Sequence, residues 1–203
     1  MELTTVIDDI KLLDHPFYRR WEAGELGEGE LGSYAAQYRF FEAQLPGFLA
    51  SLAARVTPSQ RGAIEANLAD EVDGPVTHLA LFDAFAEGVQ APAEQISPAM
   101  AALVDLYERA VDEDPSFALG VLAGYEIQAA EVAVTKGEGL RQHYRVPEAS
   151  VTFWDVHGTI EQDHAALALE AASLADPVRV QAGVRASGEA WWSFLDEREA
   201  HAA

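Results

Sequence analysis

Four dipeptides punctuate the chain in one way: Thr57-Pro58, Ser97-Pro98, Asp114-Pro115 and Asp176-Pro177 each set a small polar or acidic residue before a proline. The first residue of such a pair caps exposed amides at a helix start, and proline in the first helical position lacks an amide that would have had no partner there. Four helix starts are thereby marked. After Thr57, Gln60 stands where the second half of a capping box belongs. Between the starts, apolar residues recur at helical spacing, as in Phe41, Leu45, Phe48, Leu49 and Leu52, while alternating strand patterns are scarce. The pattern predicts helices at roughly 4–13, 16–23, 28–55, 58–73, 75–89, 98–112, 115–143, 148–174 and 177–199. The expected fold class is all-α. Pro46 and Gly74-Pro75 fall inside helical patterns, where a missing amide and a ring clash are expected to kink or break the helix.

At 203 residues the chain is expected to form a single domain spanning 1–203, and its 49% hydrophobic content is ample for a core without staples. The charge balance is strongly acidic, 34 Asp+Glu against 13 Lys+Arg. A nucleic-acid backbone would be repelled, so DNA and RNA are not expected partners. With no cysteine, disulfides, thiolate metal sites and thiol nucleophiles are all excluded. The first thirty residues carry several acids and no basic start leading into an apolar stretch, so a secretory leader is not expected and the expected location is the cytoplasm. The most apolar window, Phe117 to Val134, contains Glu126 and Glu131. Two carboxylates are too costly for an ordinary bilayer span, so the window is expected to be a buried helix and no membrane partner is expected.

Three segments carry the chemistry. In His157-Gly-Thr-Ile-Glu161-Gln-Asp-His164, spacings of four, three and seven bring all three side chains to one helix face, at about 100° per residue. Flanking Phe153, Trp154, Val156, Ile160, Leu167 and Leu169 favour a largely enclosed helix over a solvated polar stripe. Glu71 and His78 are again seven apart with Gly74-Pro75 between them. In a straight helix they would share a face about 10.5 Å apart along the axis, and a kink at Pro75 would tilt both toward one centre. Taken alone that pair fits an exposed helix equally well. Glu126 lies among Leu119, Val121, Leu122, Tyr125 and Ile127, and a buried carboxylate needs a cation or a strong donor. A hydrogen bond from a buried Tyr or Trp is the alternative to a metal there. Together the segments supply three carboxylates and three imidazoles. That donor set suits iron and also admits manganese or zinc, and six ligands exceed what one tetrahedral ion needs.

The ordered landmarks His15-Pro-Phe-Tyr-Arg-Arg-Trp21, Ala23-Gly-Glu-Leu26, Asn67-Leu-Ala-Asp-Glu71 with His78, Tyr125-Glu126-Ile-Gln, Lys136 with Gly139-Leu140, and His157-x3-Glu161-x2-His164 resemble the heme-oxygenase-like di-iron oxidases over nearly the whole chain. The branch they resemble most includes a chlamydial death-domain-associating protein and its bacterial relatives. The resemblance implies a TenA/PqqC-like bundle of about seven core helices, usually a homodimer, with Glu71, His78, Glu126, His157, Glu161 and His164 as ligands of two Fe per chain. Mn is possible in place of Fe, O2 is the co-substrate, and an external reductant is needed. Members of that branch are p-aminobenzoate synthases that consume one of their own tyrosines, with a lysine as nitrogen donor, and Tyr18, Tyr125 and Lys136 match the positions concerned. Two departures stand out: Glu161 where those relatives carry Asp, and Ala130 in place of a proline. The thiaminase-II-like branch is set aside because it works through a cysteine, and the pyrroloquinoline-quinone synthase branch because it lacks this ligand set.

Three functions therefore compete: a self-processing di-iron oxidase, a di-iron oxidase acting on an external amine, amino acid or fatty acid, and a metal-free helical interaction module. The ligand assignment predicts that His164→Ala loses tight iron binding at one or both sites, as read by elemental analysis. Two irons per chain with full oxygen uptake in that variant would overturn it.

Overall fold

The computed structural model describes residues 3–200, the side chains of residues 161 and 162 excepted. Eight α-helices make up the bundle: α1 Pro16–Ala23, α2 Glu28–Arg55, α3 Pro58–Val72, α4 His78–Gly88, α5 Pro98–Glu113, α6 Pro115–His143, α7 Thr152–Ser173 and α8 Pro177–Ala200. No strand occurs among the described residues. The all-α expectation holds, and each of the four polar-Pro pairs opens a helix. Ser97 accepts from the Met100 amide, Asp114 from the Ser116 amide, and Asp176 from the amides of Val178 and Arg179. At α3 the Thr57 amide donates back to Gln60 Oε1, 3.0 Å away. A fifth start of the same kind is His15-Pro16, where the His15 ring accepts from the Phe17 amide.

Two expectations need correction, and a third, the kink or break at Gly74-Pro75, resolves to a break. The segment expected as a helix at 4–13 forms two short 3₁₀ turns, Leu3–Ile7 and Leu12–Asp14, because its apolar residues are pinned onto the bundle individually and the Leu12 amide is bonded to Gln128 rather than to its own turn. The helix expected at 148–174 opens with a separate 3₁₀ turn, Glu148–Ser150, before α7 begins. At Gly74-Pro75 the chain breaks outright: α3 ends at Val72 and α4 starts only at His78, capped by Thr77, whose hydroxyl accepts from the Ala80 amide. Pro46, by contrast, lies inside α2, which continues past it.

Helix α6 is the axis of the bundle and packs most extensively against α7 and α8. It is long and apolar enough to cross a membrane by length and composition alone, but two thirds of its apolar window is buried by other helices. Its face toward α8 is built from small residues. A Cβ on Gly120 would lie 2.1 Å from the Val180 carbonyl oxygen, and one on Gly183 would lie 2.2 Å from the Phe117 carbonyl oxygen. Both obstacles are backbone, so neither can swing aside. Where α1 ends, Gly24 takes a left-handed conformation at φ 72°, and its amide closes the last turn onto Arg20 and Trp21.

Because the α6–α8 approach leaves no room for one carbon, Gly183→Ala is expected to lower unfolding free energy by about 1–3 kcal/mol, the usual cost of overpacking. Urea unfolding of the two proteins side by side measures it, and an unchanged midpoint would mean that the helices are not held this closely.

Candidate metal centre

Helices α3, α4, α6 and α7 each carry acids or imidazoles into the interior, and α2 brings in a further acid. Glu71 (4% exposed), His78 (5%), Glu126 (3%), His157 (4%) and His164 (1%) are all buried. Glu131, one and a half turns beyond Glu126 on α6, is exposed, so the helix phase separates the two acids as expected. The enclosing wall of α7 is thinner than its sequence suggests. Phe153 and Trp154 are buried, but Val156, Ile160 and Leu167 are only partly covered and Leu169 is 36% exposed. The reason is that α7 lies at the side of the bundle and α6 and α3 cover only part of it.

Glu71, His78 and His157 offer one donor atom each, all within 4.8 Å of one another. The break at Gly74-Pro75 is what allows this: residues that would stand far apart on one straight helix meet because α4 starts anew beside the end of α3. His78 Nδ1 lies 3.1 Å from Glu71 Oε1, yet that nitrogen has no hydrogen bond, so nitrogen and carboxylate oxygen face each other as two donors of electron pairs. The rings of His78 and His157 are tilted 59° to each other, with centroids 4.5 Å apart. His157 Nδ1 is 2.8 Å from the Phe153 carbonyl oxygen. A carbonyl only accepts, so Nδ1 carries the proton and Nε2 carries the lone pair. Burial, with the neighbouring His78 second, pushes the His157 pKa down to about 3, so the ring is neutral at ordinary pH. A neutral imidazole fixed through its second nitrogen is the form a metal binds.

The other three predicted ligands are placed less directly. Glu126 on α6 accepts a 2.9 Å hydrogen bond from Asn67 Nδ2, and Asn67 is one turn before Glu71 on α3. His164 Nε2 lies 3.1 Å from Asp70 Oδ2. The carboxylate accepts there, leaving Nδ1 as the atom that would reach a metal. The Glu161 side chain lies outside the described residues. Asn67 and Asp70 were not singled out from the sequence as functional residues, although both stand within one turn of Glu71 and share its helix. The donor set of carboxylate oxygens and imidazole nitrogens fits iron, and an orphaned imidazole nitrogen beside a buried carboxylate is the arrangement a divalent cation satisfies.

The sequence reading also missed a stripe on α2. Tyr34, Tyr38 and Glu42 recur every four residues, so they share one face, and all are buried. Lys136 on α6 is buried as well (1% exposed), and its Nζ donates to Tyr34 Oη at 2.6 Å. Tyr34 Oη lies 2.8 Å from Tyr18 Oη, and Tyr38 shares a short hydroxyl contact with Tyr125. The lysine nitrogen sits in an aromatic box, 4.2 Å from the Trp154 ring centre, 4.8 Å from that of Tyr18 and 4.9 Å from that of Tyr38. Lys136 is therefore no surface residue. Burial drives its pKa well below the ordinary lysine value, opposed by the charge of Glu42. The same desolvation raises the phenol pKa values of Tyr18, Tyr34 and Tyr38. Burial thus works against the charged forms of the amine and of the phenols alike.

Residues 33–192 match the model of a family described as iron-containing redox enzymes. The chain is 34% identical over 167 residues to a 4-aminobenzoate synthase of Chlamydia pneumoniae, covering 78% of this chain and 74% of that one. It is 29% identical over 218 residues to a 4-aminobenzoate synthase of Nitrosomonas europaea, covering 96% and 88%. Among solved structures, a CADD-like protein of unknown function from Nostoc punctiforme superposes with a TM-score of 0.76 at 20% identity, covering 100% of this chain and 99% of that one. A TenA homologue from Pseudomonas syringae superposes with a TM-score of 0.83 at 14% identity, covering 98% and 91%. The heme-oxygenase-like, TenA-like fold expected from the sequence is the fold observed.

The depressed pKa of His157 gives a measurable pH dependence. Between its ordinary value of 6.5 and about 3, the unfolded chain binds a proton that the folded metal-free protein does not. Stability of the metal-free protein is therefore expected to fall as pH drops through that window, with the His157 contribution levelling off below it. Urea unfolding at several pH values should show a shallower slope in His157→Leu, and an equally steep slope would assign the pH dependence to other groups.

Proposed function

Since the chain belongs to the family of iron-containing redox enzymes, we propose that it is a di-iron, O2-dependent 4-aminobenzoate synthase that builds its product from its own side chains. The observation that carries this reading is the placement of Lys136. A buried amine stands 4.8 Å from the ring centre of Tyr18 and is joined to that tyrosine's hydroxyl through Tyr34. The names of the relatives from Chlamydia pneumoniae and Nitrosomonas europaea support the same product.

The product's chemistry says what must change. 4-Aminobenzoate carries a carboxyl para to an amine, where tyrosine carries a methylene para to a hydroxyl. The ring and Cβ of Tyr18 would supply the skeleton, with the Cα–Cβ bond broken and Cβ oxidised to the carboxyl, and Lys136 Nζ would replace the phenol oxygen, which leaves as water while the Lys136 Cε–Nζ bond breaks. Dioxygen is the oxidant and an external reductant completes the electron balance. Glu71, His78, Glu126, His157, Glu161 and His164 would hold the two irons, which supply one-electron and dioxygen chemistry when bound.

The remaining steps belong to the chain's own groups. The Phe153 carbonyl holds His157 in the tautomer that exposes Nε2, and Asn67 orients Glu126. The rings around Lys136 exclude water from it, and burial works against its protonated form, which favours the free amine a nucleophile requires. The Tyr34 hydroxyl touches both Lys136 Nζ and Tyr18 Oη, so it is placed to pass a proton between them. Tyr125, held against Tyr38, adds a second phenol next to Glu126 in sequence.

The nearest rival is an oxidase of the same centre acting on an external amine, amino acid or fatty acid; the interaction module predicts that the purified protein holds no stoichiometric metal. Reduced, iron-loaded protein exposed to oxygen without added substrate separates them. Self-processing is expected to release an aromatic amine and to change the mass of the peptides containing Tyr18 and Lys136, whereas external chemistry leaves the chain intact. Tyr18→Phe is expected to keep fold and iron, at a cost of about 1 kcal/mol for one buried hydrogen bond, while ending product formation. Lys136→Arg, charged and unable to give up a primary amine, is expected to do likewise. Normal aromatic amine yields from both variants would sink the self-processing reading and leave the external-substrate oxidase.

A further inference from the structure

We propose that Glu42 is a carboxylate ligand of the metal centre, additional to the six residues assigned above; the proposal rests on the metal-binding reading of the site. Glu42 projects from α2, a helix that contributes none of the six. It is 3% exposed, and its Oε2 has no hydrogen-bond partner. The charged groups that act on it most strongly are, in order, Glu71, Lys136 and Glu126, so it faces two of the assigned carboxylates across the same interior.

The lysine does not account for this acid. Lys136 Nζ donates to Tyr34 Oη, and no hydrogen bond or ion pair joins it to Glu42 among the described residues. Three buried carboxyls thus act on one another where protein cations are too few to balance them. An orphaned carboxylate oxygen in a dry interior is costly, and a divalent cation is the group that removes that cost while satisfying several carboxylates together. Local sequence supports a role for this turn of α2. Pro46 has no amide to give to the Glu42 carbonyl four residues earlier, so the helix is weakened at the turn that carries the acid into the site.

The test uses the full chain, stripped of metal and titrated anaerobically with Fe2+, and separately with Co2+, whose visible absorption reports coordination number. Glu42→Gln keeps the volume, and Glu42→Ala opens a space that acetate can enter. Both are expected to bind one of two ions at least about tenfold more weakly than the parent chain. The cobalt spectrum at saturation is expected to differ from the parent's in Glu42→Gln, and acetate is expected to restore affinity in Glu42→Ala. An unchanged cobalt spectrum at saturation in Glu42→Gln overturns the proposal, because a group acting only through packing or charge alters affinity without leaving the coordination sphere. If the parent chain itself takes up no metal, the metal-binding reading falls with it. If the parent binds two ions and Glu42→Gln matches it in affinity and spectrum, this proposal alone falls. Should Glu42→Ala fail to fold, Glu42→Gln decides.

Discussion

The interior of this bundle holds charges that an apolar core does not tolerate. Glu42, Glu71, Glu126, His78, His157, His164 and Lys136 are all at most 5% exposed, within a shell of Phe, Tyr and Trp. Moving one carboxylate from water into such surroundings costs several kcal/mol unless it is paired or neutralised. Asn67 offsets part of that cost at Glu126, and the Phe153 carbonyl does so at His157. What remains is an excess of electron-pair donors facing one another, as in the approach of His78 to Glu71. The architecture is organised to present that excess: α6 runs through the middle and the ligand-bearing helices pack around it.

The close packing of α6 on α8 serves the same end from the opposite side. Gly120 and Gly183 let the two backbones approach so closely that this face of α6 has no room for a side chain. One side of α6 is thereby sealed, and its other faces are left to carry Glu126, Lys136 and the aromatic cluster. Lys136 is positioned by three helices at once, with Tyr18 from α1, Tyr34 and Tyr38 from α2, and Trp154 from α7. Hydroxyl contacts link Tyr18, Tyr34 and Lys136 into one buried hydrogen-bonded chain. Desolvation here is thus both a cost to stability and the cause that lowers the lysine's pKa without a base beside it.

Most helix starts and the face shared by His157 and His164 were legible because they depend on local rules: capping, proline placement and the helical repeat. The Glu71 and His78 pair was half legible. Spacing suggested a common direction, but the pair meets through a full break at residues 73–77 rather than a kink in one helix. Lys136 was ambiguous because a lysine near helical glycines reads equally as a surface residue, and only the four rings around it settle the matter. Glu42 was overlooked although Tyr34, Tyr38 and Glu42 form a regular stripe. On a helix with many buried positions, one acid among apolar residues does not announce which neighbour it faces.

By itself, then, the sequence determined the all-helical class, the absence of thiol chemistry, the identity of the buried donors on α3, α6 and α7, and the family to which the chain belongs. These follow from short-range geometry and from residue chemistry, which travel with the chain whatever its tertiary arrangement. Only the tertiary structure decided which donors stand within 4.8 Å of each other, that Asn67 and Asp70 hold two of the candidate ligands, and that the Lys136 amine lies against Tyr18 and Tyr34. Apart from Glu71 and His78, those relations join residues about 60 to 120 positions apart in the chain, and their distances are set by helix packing rather than by any spacing along the sequence.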